Sequence, residues 1–271
     1  MRNKRIIRRL IALTVAVMAA LAMSTISPQQ AGAWWQHYSG YSVTRVSKLP
    51  PTQEQAEAVL TPQVKTQLGG NVEWNGAGSF VVNNNQTNLN TNIASAPWAV
   101  NHLDSQGRPW QGDAWLSRAT RQYRNRQSTG NGASSWKPAG FEQASHLTGG
   151  YSHAYDRGHL LGYALVGGLP HFNASESNPQ NIATQTAWAN EARSSRSMGQ
   201  NYYEGLVRRK LDQGVKVRYR VTDIYNDNNP VPSGAHIEAK AADGSLQFNV
   251  FVPNVQRNIN INYQTGRVTQ R

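Results

Sequence analysis

The chain has no cysteine. That excludes a disulfide staple, a thiolate nucleophile and any Cys-based zinc site. Stability must come from burial, and any bound metal must use oxygen or histidine ligands, which favours a hard cation such as Mg²⁺ or Mn²⁺. Acidic residues are also scarce: 15 stand against 27 lysines and arginines, for a formal net charge of +12. Such an imbalance suits a polyanionic partner, whether nucleic acid, teichoic acid or an anionic membrane surface. Charge alone does not choose among them. The N-terminal apolar run is also short, 14 residues from Leu10 to Met23, where a spanning helix needs about 20.

That run follows Arg2, Lys4, Arg5, Arg8 and Arg9, and Ala31-Gly32-Ala33 offers the small residues a signal peptidase accepts. The pattern predicts a secretory signal over residues 1–33, cleaved before Trp34. An uncleaved anchor is the alternative, with Ile26 extending the apolar stretch past Ser24 and Thr25. Either way the rest of the chain is placed outside the cell, free or held on the outer face of the membrane. Removing Met1–Ala33 takes away five basic and no acidic residues, so the net charge falls from +12 to +7. The remainder is still basic.

Residues 34–71 read as a polar tether, marked by Pro50-Pro51 and Pro62, with a short helix around Gln53–Leu60. The folded domain is expected over 72–271, and 38% apolar residues with 8 Trp and 11 Tyr suffice for a core. Val215 to Thr222 alternates strictly, with Val215, Val217, Tyr219 and Val221 on one sheet face and Lys216, Arg218 and Arg220 on the other. The basic face suits either a guide for nucleic acid or a solvated surface. His236–Lys240 and Leu246–Phe251 flank Asp243-Gly244, the signal of an antiparallel hairpin. Helices are predicted over Thr186–Ser195 and Tyr202–Gln213, the second with an apolar stripe of Tyr203, Leu206, Val207 and Leu211. The fold class is α+β, a central antiparallel sheet flanked by helices and loops.

The candidate chemistry lies in Tyr155-Asp156-Arg157-Gly158-His159 and the Asn-rich segment Asn181–Asn190. Cutting a phosphodiester requires a water, a base to deprotonate it, and positive charge on the crowded phosphate. His159 can be the base, its ring oriented by Asp156 or a backbone carbonyl. Asn190 offers a neutral oxygen suited to a hydrated Mg²⁺. The plain readings are a hydrogen-bonded structural histidine, an Asp156-Arg157 surface ion pair, and Asn181 as a helix N-cap.

The run Tyr155–Tyr163, followed by Asn178-Pro179-Gln180-Asn181-Ile182 and Gln185-Thr186-Ala187-Trp188-Ala189-Asn190, resembles the DNA/RNA non-specific endonuclease family. Within it the likeness is to the DNA-entry nuclease branch of streptococci and lactic acid bacteria. It extends from about Trp74 to Val255 and takes in Trp74-Asn75-Gly76-Ala77-Gly78, Asn101-His102-Leu103-Asp104 and Gln200-Asn201-Tyr202-Tyr203-Glu204. The resemblance implies a ββα-metal finger and a divalent ion, Mg²⁺ or Mn²⁺. It further implies that His159 activates water, Asn190 binds the metal, Asn181 supports the site and Glu204 lies near the metal's water shell. Arg126 and Arg208 match positions that grip phosphate, and Arg157, inside the motif, either touches substrate or braces the fold. Glu191 competes with Glu204 for the acidic role, and Gln127 stands where some relatives carry a second basic residue. The implied activity is hydrolysis of DNA and RNA to 5′-phosphate ends. Two rivals fit the charge alone: an export-associated DNA receptor that binds without cutting, and a basic protein of the cell wall.

Overall fold

The computed structural model describes residues 48–132 and 135–271. The expected signal segment, Trp34-Trp35 and the first part of the tether lie outside those residues. Helices α1 (Gln53–Glu57) and α2 (Pro62–Leu68) open the described chain. Thr52 caps α1 in a reciprocal pair with Gln55, while Thr61 caps α2 and Pro62 takes its first turn, where a missing N–H costs nothing. Ala56, Val64 and Leu68 all enter the main core. The short helix expected around Gln53–Leu60 is α1, but the polar tether expected up to residue 71 is corrected beyond it: Pro62 opens α2, whose Val64 and Leu68 are buried.

The strands that follow are β1 (Val72–Trp74), β2 (Phe80–Val82), β3 (Trp98–Leu103), β4 (Pro109–Leu116), β5 (Tyr155–His159) and β6 (Ile182–Thr186). Two more helices belong to this stretch, α3 (Tyr163–Val166) and α4 (Ala187–Glu191). A short ribbon of β7 (Arg193–Ser194) and β8 (Ser197–Met198) leads to α5 (Gln200–Asp212). The chain ends with β9 (Val217–Ile224), β10 (Gly234–Ala241), β11 (Gln247–Pro253), β12 (Ile259–Ile261) and β13 (Val268–Gln270).

Seven strands form one sheet in the order β1-β2-β11-β10-β9-β4-β3, with every neighbouring pair antiparallel. The predicted β10–β11 hairpin is present, its turn passing through Gly244 at φ 73°. Tyr203, Val207 and Leu211 of α5 join Val217, Tyr219 and Val221 in one core, and Leu206 of the predicted stripe is partly buried beside them. The opposite side of β9 is a correction. Arg218 is buried, both of its terminal nitrogens bond the Asp113 carboxylate, and its guanidinium lies 4.8 Å from the Trp98 ring. Arg220 reaches the same carboxylate at 3.4 Å. Because β4 pairs with β9 and sets Asp113 opposite Arg220, this part of the predicted basic face becomes an ion cluster rather than a guide or a solvated surface.

The helix predicted to run to Ser195 stops at Glu191. Ala192 turns extended, and its carbonyl accepts the N–H groups of Gly199 and Tyr202, which folds the chain back into α5. Among the described residues, strands β5 and β6 pair only with each other. A two-stranded ribbon alone is marginal. The loop after β11 secures it: Asn254 accepts from the Thr186 N–H at 2.7 Å and donates to the Thr184 carbonyl at 3.0 Å. Thr186 Oγ1 donates to the Val255 carbonyl at 2.8 Å, and the Gln256 side chain accepts the Trp188 N–H at 3.1 Å.

Candidate active site

Strands β5 and β6 and helix α4 form the two-strands-and-helix finger. The register runs from Tyr155 opposite Thr186 to His159 opposite Ile182. Thr186 caps α4 by accepting from the Ala189 N–H, so the ribbon passes directly into the helix that carries Asn190. Gly158 is required by close approach: a Cβ there would lie 2.3 Å from Gln185 Cβ and 2.5 Å from its Oε1. With that space open, Gln185 donates to Gln200 Oε1 at 3.0 Å.

His159 Nε2 is 2.8 Å from Glu204 Oε1. The orienting group is therefore Glu204 on α5, not Asp156 or a backbone carbonyl. Gln200, one turn earlier on α5, donates to the His159 carbonyl at 2.6 Å and to Glu204 Oε1 at 3.3 Å. Burial alone would raise the Glu204 pKa, but the adjoining His159 and Arg208 together with the Gln200 bond hold it below its ordinary value. The carboxylate is ionised at neutral pH. Gly162 makes room for it, since a Cβ there would sit 2.7 and 2.8 Å from the two Glu204 oxygens.

Asn181 is buried and caps no helix. Its side chain accepts from the Leu161 N–H at 3.0 Å and donates to the Leu161 carbonyl at 3.1 Å, clamping the chain just past His159. Arg208 also stands behind the site, donating to Glu204 Oε2 at 3.2 Å and to Asn201 Oδ1 at 2.7 Å.

Asn190 donates through Nδ2 to Asp156 Oδ2 at 2.9 Å, while its Oδ1 is buried with no hydrogen-bond partner among the described residues. Asp156 Oδ1 meets His153 Nε2 at 2.9 Å, and Glu191 lies 3.5 Å from the same nitrogen. His153, Asp156 and Glu191 offer ligand atoms within 4.8 Å of one another. The bond to Asp156 raises the His153 pKa, and burial, then the Asp156 charge, raise that of Glu191. An oriented amide oxygen lacking a partner, beside carboxylates and an imidazole, fits a hard divalent cation that keeps most of its waters.

These groups line a cleft of about 510 Å³ that also holds Arg126, Arg157 and Glu176. Arg126 donates to the Ala174 carbonyl at 2.9 Å, lies 3.6 Å from Glu176 and stacks 4.9 Å from the Tyr163 ring centre. Arg157 donates from Nε to the Trp136 carbonyl at 2.8 Å. A second lobe of about 220 Å³ joins Arg126, His159, Asn190 and Glu204. Of the predicted residues, His159, Asn190 and Arg126 thus line both spaces, Arg157 the larger and Glu204 the second, with Asn181 and Arg208 outside both linings. Sequence reasoning missed His153, Gln185 and Gln200 as site residues; the available signals were that both glutamines stand inside the motif runs and that Gln200 lies one helical turn before Glu204.

Fold and site together define a metal-dependent endonuclease built on a ββα finger. A family model for DNA/RNA non-specific endonucleases matches residues 62–269, and the chain belongs to that family. Among solved structures it is similar to NucA from Streptococcus agalactiae with no metal bound, at 41% identity and a TM-score of 0.73, covering 83% of this chain and 100% of that one. The magnesium-bound form of NucA gives 43% identity and a TM-score of 0.73, covering 77% of this chain and 95% of that one.

Proposed function

We propose that the protein is a secreted or surface-held nuclease that hydrolyses both DNA and RNA without regard to sequence, uses Mg²⁺ at Asn190 and leaves 5′-phosphate ends. The observation that carries this reading is the unpartnered, buried Oδ1 of Asn190 in the same cleft as the His159–Glu204 pair. Ionised Glu204 accepts the Nε2–H of His159, which leaves Nδ1 as the basic nitrogen that takes the proton of the attacking water. Arg208 and Gln200 keep Glu204 charged and fixed while this happens. Asn181 holds the chain after His159 in register.

Asn190 Oδ1, with Asp156 fixing the amide, would hold the cation. Bound there, a divalent ion supplies Lewis-acid polarisation of the scissile phosphate and a counter-charge for the departing 3′ oxygen. Arg126 and Arg157 grip backbone phosphates, which position a strand but read no base, and that accounts for indifference to sequence. Magnesium in the related NucA structure supports the choice of ion. The basic and apolar pattern of residues 1–33 supports export.

The test is digestion of plasmid DNA and of RNA by purified protein, with Mg²⁺ and with EDTA, beside His159→Ala and Asn190→Ala. Both substrates should be cut only with metal, both variants should retain only residual cleavage, and Asn190→Ala should also lose the calorimetric heat of Mg²⁺ binding. Products should accept a kinase label at their 5′ ends only after phosphatase treatment. Binding without cleavage, indifferent to EDTA and equal in parent and His159→Ala, would replace this reading with the non-cutting DNA receptor.

A further inference from the structure

Behind the catalytic ribbon lies a smaller cavity of about 10 Å³, bordered by His159, Gln185, Gln200, Asp223 and Asn254. That is about the space one water occupies. Asp223, on β9, is buried, and that burial pushes its carboxyl pKa well above the ordinary value. Tyr225 donates its own hydroxyl to the Pro109 carbonyl, and His159 turns Nε2 to Glu204. Among the described residues no cation forms an ion pair with Asp223. Gln185 Oε1, on the same cavity, is buried without a hydrogen-bond partner among the described residues.

An orphaned amide oxygen and a carboxyl on one cavity need a proton between them. A water alone could donate to both, but it would leave an ionised carboxylate buried without a counter-charge. We infer that Asp223, as the neutral acid, is a positioning residue for His159. Its O–H serves Gln185 Oε1, directly or through one water. Gln185 is thereby fixed on Gln200, and Gln200 holds both the His159 carbonyl and Glu204. This rests on His159 being the base of the proposed nuclease, but its chemistry is read separately.

The first measurement is infrared difference spectroscopy of parent against Asp223→Asn at neutral pH. A protonated-carboxyl C=O band that disappears in the variant is expected; its absence from the parent would overturn the inference. The second is kinetics. Asp223→Asn keeps size and offers an N–H donor, so kcat should stay within about twofold of the parent. Asp223→Ala should lower kcat about tenfold at constant KM, with no further loss when Gln185→Leu is added. Loss in Asp223→Asn equal to that in Asp223→Ala, or parent kcat in Asp223→Ala, would overturn it. Should His159→Ala cut like the parent, the nuclease reading fails while the infrared result still decides the state of Asp223.

Discussion

Replacing Glu204 by Gln exchanges one oxygen for an amide nitrogen in a side chain that is 3% exposed, so shape is kept while charge is removed. In the parent, that carboxylate takes hydrogen bonds from His159 at 2.8 Å and Arg208 at 3.2 Å. Hydrogen bonds to charged groups contribute about 1.5–3 kcal/mol. The bond from His159 strengthens as the ring takes up a proton, so its charge-assisted part acts on the barrier. At about 1.36 kcal/mol per tenfold in rate, kcat should fall by about 10- to 150-fold. KM should hold, because Glu204 repels phosphate rather than gripping it and Arg126 is untouched. The assay is initial-rate cleavage at saturating Mg²⁺ over a range of DNA concentration, repeated with Glu204→Gln added to His159→Ala. In that second background the substitution should cost nothing more, since its effect passes through the ring. An unchanged kcat, or an equal loss in both backgrounds, would refute the coupling.

Gly162→Ala would place a methyl 2.7–2.8 Å from the Glu204 oxygens. The variant should lose kcat as Glu204→Gln does, and about 1–3 kcal/mol of stability by overpacking, read in urea melts. Arg126→Gln should weaken DNA binding evenly across sequences and lower the slope of log affinity against log salt by about 1. Asp113 gives the pH prediction. Burial pushes its pKa up, but Arg218 and Arg220 outweigh that and hold it below the ordinary 3.8, so its contribution is present above that value and lost as pH falls through the folded one. Asp113→Asn leaves Arg218 buried without counter-charge, a loss of about 3–5 kcal/mol. The gap from the parent, followed by melts across pH, should be widest near neutrality and should close in acid below the ordinary value.

The alternation of Val217, Tyr219 and Val221 marked a strand, and the spacing of Tyr203, Val207 and Leu211 marked the helix that covers it, because both periods come directly from backbone geometry. The same alternation misjudged Arg218. Period says which side chains share a face and not what lies across it, and Asp113 is 105 residues away. The DNA/RNA non-specific endonuclease motif marked His159 and Asn190 because both stand on one contiguous finger. The partner of His159 was misassigned for the opposite reason. Asp156 is three residues away but turns to Asn190 and His153, whereas Glu204 comes from a separate helix 45 residues on. Pro50-Pro51 and Pro62 suggested a tether because proline signals both a linker and a first helical turn, and only the burial of Val64 and Leu68 separates the two.

The loop after β11 bonds Thr184, Thr186 and Trp188 at the hinge between the finger's second strand and its helix. Those bonds come from Asn254 and Gln256, about seventy residues further along the chain. Cleavage thus depends on a part of the polypeptide made late in synthesis, and an unfinished chain that already holds the earlier sheet strands has no assembled blade. The same latch predicts a division under stress: with these bonds lost the finger should loosen before the seven strands unpair, so heat or denaturant should silence the enzyme before it melts the body.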